Sequence, residues 1–272
     1  MTSVSDSGIY LVVDIVGIIA LFAGLIYRKR ARIRIKALVS ENIMPVILDS
    51  VFESWEYKPK DRLPDSIVKK VDLEIPHYVK IKGSDYIKAV YKGIHIEMSD
   101  IEFIDERTET YTDSKGETHI ETRDVTVFKG SWVVCDFKKE LSADLLLRQK
   151  KAGDKVLGKV IKGKHIVETE SEAFNKKFVI KTDDPHTAFY VLTPHMMEYI
   201  ISMDEKAGGE VHMRFCGSKV HLAVNSGRDA FEVKGRDIKD IEIIKEKFTA
   251  DLKYVTDLID ELRLCKDIYK SN

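Results

Sequence analysis

The chain has 272 residues, 44% of them hydrophobic, which is a length for one or two domains with a real core and excludes a disordered chain. Its 44 lysines and arginines stand against 45 aspartates and glutamates, and a formal charge of -1 excludes any global pull toward nucleic acid. Three cysteines, Cys135, Cys216 and Cys265, lack CxxC spacing and read as reduced, buried thiols and not as a disulfide framework.

After a short external N-terminus, residues 1–8, comes the apolar run IYLVVDIVGIIALFAGLIY, residues 9–27. As a helix rising about 1.5 Å per residue it reaches roughly 28 Å, the thickness of a bilayer's hydrocarbon. A buried core helix of this length would carry more than one charge. Asp14 costs about 2.5 to 3.5 kcal/mol at mid-membrane, whereas each Leu, Ile, Val or Phe returns about 0.3 to 0.6, so insertion is favoured. It also lies close enough to the end of the run to reach interfacial water. No basic residue precedes the run, whereas Arg28, Lys29, Arg30, Arg32, Arg34 and Lys36 follow it. The pattern predicts an uncleaved, single-pass inner-membrane helix with its N-terminus outside and everything after Arg28 cytoplasmic. The same collar would feel anionic lipid headgroups.

The juxtamembrane segment, residues 28–62, is expected to hold an amphipathic helix in which Met44, Ile47, Leu48, Val51, Phe52 and Trp55 recur at helical spacing. Pro45 fits its first turn, and the chain is expected to bend or restart there. The proline-rich YKPKDRLPDS reads as a linker, followed by a short helix near residues 66–73.

From His77 the period changes to two, and residues 63–147 read as an antiparallel β lobe with turns at Gly93 and at residues 113–116 and a further break at Gly130. ERTETYT and ETHIETR should face each other in a long polar hairpin projecting into solvent. Residues 148–165 then form a basic, glycine-dotted loop dividing this lobe from a second α+β lobe, residues 166–236. Lys150, Lys151, Lys155, Lys159, Lys162 and Lys164 are the candidate contacts for anionic lipid or a phosphorylated partner, although the GxxxxGK[ST] spacing of a phosphate loop is absent.

The stretch FVIKTDDPHTAFYVLTPHMMEYI, residues 178–200, gathers aspartates, histidines and threonines that could form a metal or acid/base centre. Asp184 before Pro185 and Thr193 before Pro194 are, however, the chemistry of two helix starts. The second helix should end at Gly208 and Gly209. EVHMRFCGSKVHLAV reads as a hairpin turning at Gly217 and Ser218, pairing Phe215 with Val220, Met213 with Leu222 and Arg214 with His221. One face is apolar and the other presents His212, Arg214 and His221, too few ligands for zinc, with no carboxylate on that face. Residues 237–272 close the chain as a long amphipathic helix whose heptad-spaced Ile241, Phe248, Val255, Leu262 and Tyr269 pack on the domain's own sheet, or on a second copy in a homo-oligomer. Asp251 at an inward position weakens the latter.

The order of a short anchor, GSDYIKAVYKGIHIEMSDIEF, VFKGSWVVCDFKK and VETESEAFNKKFVIKTDDPHTAFYVLTPHMMEYI resembles the bacterial domain-of-unknown-function family numbered thirty-one thirty-seven, over roughly residues 40–260. Phe174, Phe178, Leu192, Thr193 and Pro194 carry the resemblance most specifically. It implies a membrane-anchored cytoplasmic α+β domain, no established catalytic residues, and a LemA-type membrane protein as a neighbour. Many relatives have two membrane segments where this chain has one clear anchor.

The expected fold is therefore α+β: a transmembrane helix, then a cytoplasmic domain of antiparallel β-meanders with packed helices. The expected function is non-enzymatic binding or scaffolding at the inner membrane face, without cofactor or metal. The competing classes are an anchored hydrolase or transferase drawing on Asp183, Asp184, His186, His195, His212 and His221, and a structural subunit of a membrane complex. Ser99, Ser131 and Ser226 lack the GxSxG setting of a nucleophile elbow.

Overall fold

The computed structural model of the chain describes residues 23–31, 33–136, 141–151, 154, 160–161, 164–232 and 240–267. Most of the apolar run at 9–27 lies outside them, and among the described residues no helix is long and apolar enough to cross a membrane.

Residues 23–31 and 33–38 are helical and lead into a π-turn, Val39–Ile43, and helix α1, Met44–Val51. Pro45 has no N–H for the carbonyl four residues back, and its ring crowds that carbonyl. The widened π-turn just before it absorbs the misfit, so of the bend or restart expected there the helix makes no restart and passes through the proline. Met44, Ile47 and Leu48 are buried. The expected helical stripe stops short of Trp55, because Phe52 is already extended and Ser54–Lys58 form strand β1. Trp55 and Tyr57 there alternate with exposed residues at period two, a pattern that overlaps helical spacing only by coincidence. The linker is also shorter than expected, and the helix after it, α2, is a single turn, Asp65–Val68.

Strands β2 (Lys80–Tyr91), β3 (Ile94–Thr112) and β4 (Thr118–Asp136) form the expected antiparallel meander. Beyond the pairing of Lys80 with Ile104, β3 and β4 continue alone as a two-stranded arm, Glu106 opposite Asp124 out to Thr112 opposite Thr118. Arg107 faces Arg123 and Glu109 faces Glu121, and the diagonal bond from Arg123 to Glu109 relieves both like-charge pairs.

The remaining strands are β5 (Leu145–Gln149), β6 (Val160–Ile161), β7 (Lys164–Val167), β8 (Phe178–Thr182), β9 (Glu210–Cys216) and β10 (Lys219–Asn225). The ten strands among the described residues join one sheet in the order β1-β2-β3-β4-β10-β9-β5-β8-β7-β6. The sheet therefore does not part at the basic loop into two lobes. The β9–β10 hairpin, in the register expected of it, inserts between β4 and β5 and welds the two regions together. Gly130, where a break was expected, lies inside β4 and permits the weld, since a Cβ there would lie 1.9 Å from the Val224 carbonyl oxygen.

Helices α3 (Glu172–Lys177), α4 (Pro185–Val191), α5 (Pro194–Ala207) and α6 (Ile241–Asp267), with α1, supply one core layer over Met213, Phe215, Leu222 and Val224. The apolar stripe of α6, Ile244, Phe248, Leu252, Val255, Ile259 and Leu262, is buried in this core. On the opposite face, Leu63, Val68 and Leu73 of the segment between β1 and β2 cover Phe103, Phe128, Trp132 and Leu146. The sheet is thus sandwiched along its middle, which is why β4, β5, β8 and β10 read as continuous apolar runs.

Candidate functional site

The polar groups of residues 178–200 serve helix starts, as their order suggests. Asp184 Oδ1 accepts the His186 amide at 3.0 Å, and Oδ2 accepts the hydroxyls of Ser142 and Thr187, each at 3.1 Å. The His186 amide leads the contacts that hold this carboxyl below the usual carboxylate range. Thr193 Oγ1 accepts the Met196 amide at 3.2 Å. Asp183 and His186 are exposed, and exposed His195 pairs through Nε2 with Glu261 at 3.0 Å.

His212 and His221 depart from expectation, because the polar face of the β9–β10 hairpin is not open to solvent. The segment between β1 and β2 covers it, leaving the two histidines 2% and 3% exposed. His212 Nδ1 donates to the Leu73 carbonyl at 2.9 Å, and His221 Nδ1 accepts from the Trp132 indole at 3.4 Å. Burial lowers both pKa values, that of His221 to about 4, so both rings are neutral. Carboxylates do reach this face, contrary to the sequence reading. Glu74 accepts Arg148 Nε at 2.7 Å and Lys181 Nζ at 2.6 Å, while the other edge of Arg148 grips Asp154 with two bonds of 2.7 Å. The Arg148 guanidinium holds Asp154 at about 2. The single acid of the basic loop thus pins the loop's start to the sheet.

The six lysines suggested for an anionic ligand do not gather among the described residues. Lys150 donates to the Asn175 carbonyl and Lys151 lies 3.4 Å from Glu210. Lys155, Lys159 and Lys162 and the side chain of Lys164 fall outside the described residues. Of the basic collar, Arg32 is also outside them, but Lys36 is well placed. Its Nζ lies 2.8 Å from Asp85 Oδ2, a carboxylate 1% exposed in a β-bulge where the backbone takes φ 60°. Asp85 also accepts Ser84 at 2.7 Å and Tyr57 at 2.6 Å.

A concavity lies elsewhere, between α5 and α6, and has a volume of about 750 Å³. Ser131 of β4 and Val224 of β10 form its floor, Met203 and Ala207 of α5 one wall, and Asp251 and Tyr254 of α6 the other. The Tyr199 hydroxyl of α5 donates to the Tyr254 carbonyl at 3.0 Å and fixes the spacing of the walls. Beneath the floor, buried Asp100 accepts Ser131 Oγ at 3.4 Å and the Ala230 amide at 3.1 and 3.0 Å. Burial, with Asp85 and Asp229 nearby, pushes Asp100 up to about 7. Burial likewise raises Asp251 to about 6. Sequence reasoning missed this cleft, although Asp251 among the inward positions of the last helix was its signal.

A family model described as protein of unknown function (DUF3137) matches residues 126–264. The chain belongs to that family. The matched span begins in β4 and ends in α6, so it includes both walls and the floor of the cleft but not residues 9–27 or β1 to β3. The motif residues have structural places in the DUF3137 fold: Phe174 and Phe178 are buried with ring centroids 4.9 Å apart, and Leu192, Thr193 and Pro194 form the α4–α5 junction. No curated protein matches the chain. Among solved structures it is similar to the mycobacterial trehalose monomycolate transport factor A, TtfA, at 11% identity over 74% of this chain and 87% of that one. The TM-score is 0.35, and at that value the likeness carries no argument.

Proposed function

We propose that the chain is a membrane-anchored, non-enzymatic binding module at the cytoplasmic face of the inner membrane. Residues 9–27 cross once, with the N-terminus outside, and the domain after Arg28 lies in the cytoplasm, where its basic collar meets anionic lipid. The observation that carries this reading is the Lys36–Asp85 junction. A residue of the collar is bonded to a buried carboxylate of the sheet, so the end of the anchor and the folded body are one piece. A body held at the membrane in this way meets a membrane-bound partner at high effective concentration and needs little intrinsic affinity.

Binding is favoured over chemistry by where the titratable groups lie. Asp184 works as a cap, His212 and His221 are buried and neutral on one face of the sheet, and His186 is exposed on the other layer. The cleft is lined by hydroxyls, carboxylates, the cations Lys206, Arg228, Lys247 and Lys253, and apolar side chains, a mixture suited to holding a ligand. The test is fractionation of the full-length protein with protease protection. It should stay with membranes through a carbonate wash and be digested in inverted vesicles but not in intact spheroplasts. Release by carbonate, or digestion from the outside, would overturn the proposal.

A further inference from the structure

The charges lining the α5–α6 cleft do not cancel where solvent reaches them. Of its four acids, Asp257 pairs with Lys253 at 2.8 Å and Asp260 with Lys92 at 2.6 Å, while Glu261, 7% exposed, lies 3.0 Å from His195. The fourth, Asp251, has its Oδ2 fully buried, so it acts on the cleft through space alone. Of the four cations, Lys253 is the one with a carboxylate partner among the described residues. Lys247 donates to the neutral Glu232 carbonyl, and the exposed side chains of Lys206 and Arg228 form no hydrogen bond or ion pair among the described residues. Arg228 and Lys247 both oppose the rise of the Asp251 pKa, so they converge on one part of the wall. Three cations thus face one concavity against a single recessed carboxylate, and a concave wall concentrates their field.

We infer that the cleft binds an organic oxyanion, a carboxylate or phosphate ester held by Arg228, Lys206 and Lys247, its stem lying on Ala207, Ala250 and the rings of Tyr199 and Tyr254. The planar fork of Arg228 can donate two parallel bonds to such a group, and the lysines add charge without demanding one geometry. An ammonium ligand would meet three like charges. Inorganic phosphate would leave the alanines and tyrosine rings of the lining uncovered. The volume, about 750 Å³, is that of a drug-sized ligand, so the oxyanion is one end of a larger molecule. The headgroup of an anionic lipid and a soluble ester share this chemistry.

The inference rests on the reading of the chain as a binding module, and its test separates the two. Full-length protein in phosphatidylcholine nanodiscs is titrated with n-butyl phosphate, n-butylammonium and n-butanol at pH 8, with saturation-transfer NMR as the readout. Saturable binding of butyl phosphate alone is expected, weakened at least tenfold by Arg228→Gln and several-fold by Lys206→Gln, and abolished by Ala250→Leu, which fills the cleft. Asp251→Asn removes the opposing charge and should tighten binding several-fold. Arg228 and Lys206 are exposed, so their variants keep the fold should Asp251→Asn lose it. Equal binding of butanol or butylammonium, butyl phosphate binding unchanged in Arg228→Gln, or no binding to the wild type would each overturn the inference. Competition with dihexanoyl phosphatidylglycerol below its micellar concentration separates the sources: displacement of butyl phosphate assigns the cleft to a lipid headgroup, and undiminished binding assigns it to a soluble ester. Membrane fractionation of the same variants should be unchanged. A wild-type protein that remains in membranes yet ignores butyl phosphate refutes the ligand class and leaves the anchored module standing.

Discussion

Asp100 offers the sharpest test of the fold's electrostatics. It is 2% exposed, and burial first, then the carboxylates of Asp85 and Asp229, raise it from 3.8 to about 7, against the Ala230 amide and Lys36. A carboxyl that holds its proton more tightly when folded is destabilising once both states could ionise. Stability is intact below the unfolded pKa, falls as pH rises through the interval, and is level above the folded pKa. The distance from 3.8 to about 7, at about 1.36 kcal/mol per pH unit, gives about 4 kcal/mol. In the wild type this fall is hidden. His221, 3% exposed with its pKa lowered from 6.5 to about 4, stabilises the fold as pH rises through nearly the same window. Asp100→Asn separates the two. Its Oδ1 can still accept Ser131 and Ala230, and it cannot ionise. Urea unfolding of the full-length protein in detergent, followed by the fluorescence of buried Trp132, should show the wild type losing about 3 to 4 kcal/mol relative to Asp100→Asn between pH 4 and 8. A difference constant within about 1 kcal/mol across that range would refute the argument.

Other outcomes follow from single contacts. Arg148→Met should cost about 3 to 5 kcal/mol by stranding Glu74 and Asp154, read as a lowered urea midpoint at unchanged slope. Thr193→Ala removes the cap of α5 and should cost about 1 kcal/mol in the same assay, whereas Thr193→Ser should restore most of it. Lys36→Met loses an ion pair whose lysine is half exposed and should cost only about 1 kcal/mol. A double-mutant cycle of Lys36→Met with Asp85→Asn should recover that coupling, and a coupling near zero would argue that the helix at residues 33–38 and the sheet are not tied there.

Much of the fold could be read from the letters because local chemistry decided it. The β9–β10 register followed from Gly217 and Ser218 alone, since a two-residue loop leaves no choice of pairing. Asp184-Pro185 and Thr193-Pro194 marked helix starts because a cap must sit one residue before the first turn. The errors came where tertiary contacts decide. Trp55 fits a helical stripe by spacing, and only pairing with Ala89 makes it part of a strand. The single sheet was signalled by apolar runs such as SWVVC and LLLR, which lack alternation because both faces are covered.

The site was hardly legible, and the reason is topological. Ser131, Met203, Val224 and Tyr254 come from four elements that meet only because β10 docks beside β4 and α6 returns across the sheet after residue 240. No spacing rule connects them. The histidines misled for the opposite reason: His212 and His221 share a face, as alternation requires, but whether that face is wet depends on Leu63, Val68 and Leu73 arriving from far upstream. What sequence does carry is the exception to a pattern. An aspartate inside the apolar strand IEMSDIEF and another on the inward side of the last helix each cost stability where they stand. The first of them is bonded, through Ser131 and Ala230, to the cleft that the second lines. Polar residues retained against packing are thus better pointers to this site than the clustered histidines and aspartates of residues 178–200, where Asp184 and Thr193 start two helices.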